Sequence, residues 1–273
     1  MKIEGYTYSV RSLWSKDSDT AATIGDRFLA FLDRLGPLDP AMSNWLMIDM
    51  VDFTTDQLAT ARPDFTAFVE RNVTQIEGMA PDRREGFTLL ARGSMVESEF
   101  GSARSVDIAV CAGADWNNDS SFQIGSLRSF PDPALVTYPI YRGALEAMVS
   151  SFPCPYAWAK YFIAEELEPL RPATFPVQPS PPGKRLQPFD GAWIAYLSAP
   201  LAAGFTPPAD LFPERTPGGG LILSAVKDHI DPTNPDHVLA SQKLQTILSE
   251  RAGKASQRGD IHPGRFPPRV GPC

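Results

Sequence analysis

Three side chains near the C-terminal end could meet on one metal ion: His229, Asp231 and His237. Zinc accepts such nitrogen and carboxylate donors, so one reading of the chain is a metal-dependent hydrolase built on them. The same residues also suit a turn and a helix start. The run Asp231-Pro232-Thr233-Asn234-Pro235-Asp236-His237 offers a capping Asn234, a first-position Pro235, and Asp236 facing the positive helix end. The local-structure reading is the stronger one, and no metal or other cofactor is expected. Gly218-Gly219-Gly220 suggests a phosphate loop, but it precedes an apolar run instead of opening a helix. A nucleophile-elbow Gly-x-Ser-x-Gly is absent, and Cys111 lies in an apolar strand pattern that favours an inert thiol. No catalytic residue is assigned.

Carboxylates remain. They gather as Asp49, Asp52 and Asp56; as Asp115 and Asp119 around Trp116; as Glu165, Glu166 and Glu168; and as Asp228, Asp231 and Asp236. Each cluster alone is an ordinary solvated face. Together, with few lysines nearby, they could form a surface for Arg- and Lys-rich ligands. Trp116, set in Asp115-Trp116-Asn117-Asn118-Asp119, is the tryptophan whose polar neighbours suggest an exposed contact residue. The formal net charge is −7. Residues 251–273 hold five basic residues and one acid, which leaves 20 basic against 31 acidic residues in 1–250, a net of −11. Such a body repels nucleic acid and attracts basic partners, although acidity also serves plain solubility.

The elements that must carry these groups read as α+β, a mostly antiparallel sheet with amphipathic helices packed on it. Tyr6, Tyr8 and Val10 alternate with polar residues as a half-buried strand. Asp17 or Ser18 then opens a helix striped by Ile24, Phe28, Phe31, Leu32 and Leu35, which Gly36-Pro37 ends. Asp39-Pro40 turns the chain toward Trp45, and 49–56 mixes acids with apolar residues as a loop. Pro63 opens a second helix with Phe65, Phe68, Val69 and Ile76 on one side. Four short runs, Phe87–Ala91, Val106–Cys111, Phe122–Leu127 and Leu135–Tyr138, suggest an antiparallel meander. A helix through Tyr141, Leu145 and Met148 follows, then a strand at Tyr156–Ile163. Trp193–Leu197 and Leu221–Val226 are apolar on both faces, as buried strands are, and the last helix runs from Pro235 to about Leu248.

Proline is abundant, 27 of 273 residues, about twice the usual ~5%. Seven prolines stand between Pro169 and Pro188, which forbids a helix or central strand there. That stretch is expected to be a crossing loop that could split one 1–250 domain into two lobes. The basic segment 251–273 has little to bury and is expected to be a disordered tail. Three cysteines (Cys111, Cys154, Cys273) lack metal spacing and fit a reducing compartment. The opening MKIEGYTYSVRSLW has no apolar signal core, and no apolar run reaches ~18 residues. A cytoplasmic protein without membrane or nucleic-acid partners is the expectation.

These pieces, in this order, resemble the immunity protein 52 family of bacterial polymorphic-toxin systems. The resemblance is carried by YTYSVRSLW with Trp14, the helix around DRFLAFLDRL, Asp39-Pro40 and Trp45. It continues with Gly191-Ala192-Trp193, the Gly219-Gly220 strand, and Asn234-Pro235-Asp236-His237. Trp14, Asp39, Pro40, Trp45, Trp193, Gly219, Gly220, Asn234, Pro235 and His237 are read as structural marks of the fold. The basic tail departs from the pattern. The resemblance implies a non-enzymatic protein that binds and neutralises a restriction-endonuclease-like DNase toxin, often one delivered by type VI secretion. Nuclease chemistry of that kind needs an acid two positions before a lysine. No lysine here has one. An adaptor of the secretion machinery is the other non-enzymatic reading.

Overall fold

The computed structural model describes residues 6–15, 19–74, 83–93, 106–115, 118–124, 132, 134–163 and 191–259. In chain order the elements are β1 (Tyr6–Trp14), α1 (Ala21–Leu35), β2 (Trp45–Ile48), β3 (Thr55–Gln57), α2 (Leu58–Ala61) and α3 (Phe65–Arg71). Next come β4 (Phe87–Gly93), β5 (Val106–Ala112), β6 (Asn118–Ile124), α4 (Tyr138–Ser151) and β7 (Tyr156–Ile163). β8 (Ala192–Leu197), α5 (Ala199–Ala202), β9 (Glu214–Arg215), β10 (Leu221–Ser224) and α6 (Pro235–Arg258) complete the chain. The strands form a single ten-stranded sheet in the order β3-β2-β4-β5-β6-β1-β7-β8-β10-β9. Every pairing is antiparallel. The α+β architecture read from the sequence is the one observed.

Side-chain alternation fixes the layers. Tyr8, Val10, Ser12 and Trp14 of β1 share a face with Ile124, Phe122, Ser120 and Asn118 of β6, their register partners. All eight are buried. α1, α3 and α4 cover this side: α4 packs on β1, β7 and β8, α3 on β4, and α1 on α3 and α4. The α1 stripe Ile24, Phe28, Phe31, Leu32 and Leu35 is buried, with Phe31 edge-on to Phe152 and Phe28 stacked on Phe65. Thr20, not Asp17 or Ser18, caps α1 by accepting the Thr23 N–H at 3.2 Å.

At the other end of the sheet alternation disappears. Ala192 through Ala195, Leu197 and all of β10 are buried. α4 and α6 both pack on β8, and because successive side chains of a strand point to alternate faces, this unbroken burial means that both faces are covered. Arg251 and Arg258 of α6 donate to the Leu201 and Pro200 carbonyls, tying α6 to α5. β8 and β10 are thus enclosed from both sides, as their doubly apolar runs require.

Several elements differ from the sequence-based expectation: β10 stops at Ser224, short of Val226, and the second helix begins at Phe65, with Pro63 in a preceding 3-10 turn. β6 begins at Asn118 instead of Phe122, because polar Asn118 and Ser120 point into the core. The Ser12 and Ser120 hydroxyls satisfy each other at 2.7 Å, and Asn118 accepts the Ala114 N–H at 2.9 Å. Leu135 and Val136 are buried yet form no strand, and the chain enters α4 at Tyr138 with Pro139 in its first turn. β3 (Thr55–Gln57), which begins inside the stretch 49–56 expected as a loop, pairs with β2 as an edge strand. α6 continues to Arg258, eight residues into the expected tail, because Ala252 and the buried Ala255 extend the stripe of Ser241, Leu244 and Leu248. Ile76, the 169–188 loop and residues 260–273 lie outside the described residues. Among the described residues no helix is long and apolar enough to cross a membrane.

Candidate functional site

The side chains of His229, Asp231 and His237 are spent on structure. His229 Nδ1 lies 3.0 Å from the Val136 carbonyl and its Nε2 lies 3.3 Å from the Tyr8 hydroxyl. His237 Nδ1 accepts the backbone N–H of Asp231 at 3.0 Å. The Asp231 carboxylate takes the Thr233 N–H and hydroxyl at 2.8 and 2.7 Å, contacts that hold its carboxyl below the ordinary range. The imidazole of His237 therefore clamps the turn that starts α6, and His229 plugs the gap between that turn and the core. No group of three or more His, Cys, Asp or Glu among the described residues is arranged to hold a metal ion. Cys111 and Cys154 are buried, and burial pushes both thiols upward, Cys154 to about 12. Such thiols are poor nucleophiles at neutral pH.

The carboxylates fall into three settings. Asp49 is buried; it accepts the Val51 N–H at 2.9 Å and faces Arg71 at 3.4 Å, so it shapes its loop and is not free to meet a ligand. Asp119 is half-buried on β6, where desolvation lifts its carboxyl and Arg11 pulls it the other way. Asp52, Asp56, Asp115, Asp228 and Asp236 are exposed. Asp52 is held below the usual carboxylate range by the Thr54 hydroxyl and N–H. Asp228 accepts the His229 N–H at 2.7 Å. Trp116, Glu165, Glu166 and Glu168 lie outside the described residues. Among the described residues the acids sit on separate segments of the chain. Asp52 and Asp56 sit by edge strand β3, Asp115 precedes β6, and Asp228, Asp231 and Asp236 lie on the segment entering α6.

The motif residues occupy joints. Trp193 is fully buried among Tyr8, Tyr138, Tyr141 and His229, and its indole N–H donates to the Val226 carbonyl at 3.2 Å. Trp14 stacks on Phe152 at 5.2 Å, and Trp45 lies opposite Gly93 where β2 meets β4. Asp39 caps a short 3-10 turn that has Pro40 at its start, accepting the Ala41 N–H at 2.8 Å. Asn234 caps α6 by accepting the Asp236 N–H at 3.0 Å, with Pro235 in the first turn. Gly219 turns the chain from β9 into β10 at φ +77°, and a Cβ on Gly220 would lie 2.7 Å from the Tyr196 ring.

The β2–β3 loop holds what the sequence reading overlooked. Val51 and Phe53 stand 55% and 69% exposed between the acids of 49–56. Composition offers no sign of this, since an apolar residue in a short loop is as readily folded inward.

Comparison with known proteins follows the same lines. No curated protein matches the chain. Among solved structures, a Pseudomonas aeruginosa T6SS protein is similar at 11% identity and a TM-score of 0.49, over 89% of this chain and 73% of that one. The family model for immunity protein 52 matches residues 6–257, from the first described strand to the last turn of α6. The chain belongs to the immunity protein 52 family.

Proposed function

We propose that this protein binds a cognate nuclease toxin by direct contact and neutralises it inside the cell that makes both. The family match over nearly all of the folded chain carries the reading. The acidic 1–250 body supports the nuclease assignment on physical grounds. An enzyme that works on phosphodiesters presents a basic groove, and an acidic protein is steered toward it. Opposed charge can raise association up to ~10⁸–10⁹ M⁻¹s⁻¹ at low salt, a useful speed against a toxin that does damage on arrival. Exposed Asp52, Asp56, Asp115, Asp228 and Asp236, with half-buried Asp119, are among the carboxylates that contribute to that attraction. The spent donors of His229, Asp231 and His237 favour this reading over the hydrolase.

The test pairs rescue with capture. The neighbouring toxin candidate is expressed in a test strain with and without this protein, and the protein is then pulled down. Survival with the toxin in the captured fraction is the expected result, and the on-rate of the purified pair falls as salt rises. Death of cells that contain ample soluble protein, with no toxin captured, would refute the pairing. A salt-independent on-rate would remove the electrostatic part.

A further inference from the structure

Few large apolar side chains face solvent: among the described residues they are Val51, Phe53, Phe212 and Leu239. Two of the four share the loop between β2 and β3. Phe53 and Phe212 are also the non-glycine residues with positive φ, +57° and +44°. L-residues with large side chains avoid that region, so each must be held there by its surroundings. The two then part company. The Phe212 ring has the Lys227 ammonium 5.8 Å from its centroid. Phe53 has no such cover among the described residues.

The loop around Phe53 is locked. The Asp49 N–H donates to the Thr54 carbonyl at 2.9 Å and closes it. The Asp49 carboxylate takes the Val51 N–H, and the Asp52 carboxylate takes Thr54 through both N–H and hydroxyl. The Met50 N–H donates at 2.6 Å to the amide oxygen of Asn72, which is buried and anchored to the Phe68 carbonyl at 2.8 Å. A hydrogen-bonded frame rooted in α3 thus presents two apolar side chains outward. Rigid presentation lowers the ordering cost of binding, as a preformed anchor requires. Arg71, on the α3 side of the loop, is paired with Asp49 at 3.4 Å, while Asp52 and Asp56 stay exposed beside the anchor.

We propose that Phe53 and Val51, at the tip of the β2–β3 loop, are the anchor that seats in an apolar pocket rimmed by Lys or Arg on the cognate toxin. The flanking acids decide the chemistry of that partner, since they complement a basic rim and repel an acidic one. The proposal rests on the immunity reading above and adds where the contact lies.

The experiment uses the whole protein and a catalytically inactivated form of the neighbouring toxin candidate. Phe53→Asn removes the ring while keeping a residue that accepts positive φ. Its Kd rises at least ~30-fold, the size of a binding hot spot, mainly through faster dissociation, while Tm holds or rises. Asp52→Asn keeps the loop's acceptor oxygen and slows association at low salt with little change in dissociation. Leu239→Ala, at an equally exposed position on α6, leaves Kd unchanged. If wild type binds and Phe53→Asn binds within about threefold of it, the anchor is wrong and the immunity reading stands. If wild type neither binds nor rescues, both fall. If wild type dimerises in sedimentation and Phe53→Asn does not, the tip is a self-association contact and the proposal is overturned.

Discussion

Trp193 offers the sharpest test of how this molecule is held together. Its indole is fully buried, touches aromatic rings from β1 and α4, and hydrogen-bonds the segment leaving β10 through the Val226 carbonyl. Trp193→Phe keeps an aromatic ring in the pocket but loses that hydrogen bond, about 1 kcal/mol, and part of the packing. A total cost of roughly 1–3 kcal/mol follows. Trp193→Ala empties the pocket among Tyr8, Tyr138 and Tyr141, and large aromatic deletions of this kind cost about 3–5 kcal/mol. Each kcal/mol moves Tm by roughly 2–4 °C in a chain of this order of size, so the alanine variant should melt some 6–20 °C lower. The assay is urea and thermal unfolding followed by far-UV circular dichroism, which does not depend on the missing fluorophore. A graded order, wild type above phenylalanine above alanine, is expected. An alanine variant within about 1 kcal/mol of wild type would refute the view that this aromatic cluster is a main support of the core.

Further expectations concern caps, turns and charges. Asn234→Ala removes the α6 cap and should cost about 1 kcal/mol by denaturant unfolding. Gly220→Ala forces a Cβ to within 3.0 Å of the Leu197 carbonyl and should destabilise by roughly 1–3 kcal/mol. A Cys273→Ser variant should show no thiol titre with an aromatic disulfide reagent near neutral pH while native, and two in denaturant, because Cys111 and Cys154 are buried with raised thiols. Glu214 is held below its ordinary 4.5 by Lys227 and Arg142. Its contribution is complete above the unfolded value and is lost as pH falls through the lower folded one. The stability gap between wild type and Glu214→Gln should therefore shrink as the pH falls below the ordinary 4.5, as measured by urea midpoints from neutral pH down to about 3.

How much of this the sequence disclosed depended on whether the signal was local. The α1 stripe, the Tyr156–Ile163 strand and the Asn234-Pro235 helix start depend on spacing and capping chemistry within a few residues, and all three stand where expected. β6 did not, because its inward polar residues are satisfied by partners such as Ser12, more than a hundred positions away. Short apolar runs were equivocal, as Leu135 and Val136 show: burial and strand pairing are different things. The site residues were the least legible. Asp49 and Asp52 are three positions apart and alike in composition. Yet one is buried against Arg71 and the other stands in solvent, and only the fold of the loop separates them.

The place of β1 in the sheet has a consequence for how the chain comes together. The strand sits between β6 and β7, with β2 to β6 on one flank and β7 to β10 on the other. Each flank is nearly contiguous in sequence, so each can zip by short-range pairing. The earliest of the described strands is the seam, and Ser120 on its β6 partner lies 108 residues downstream of Ser12. During synthesis β1 waits unpaired until β6 has emerged, and the two meanders are joined into a continuous sheet once β7 follows and pairs with its other edge. Closing so long a loop makes this the slow, non-local event of folding. It also means that an added segment containing β1 could complete a chain that lacks it, turning the order of assembly into a handle for controlling when the folded protein exists.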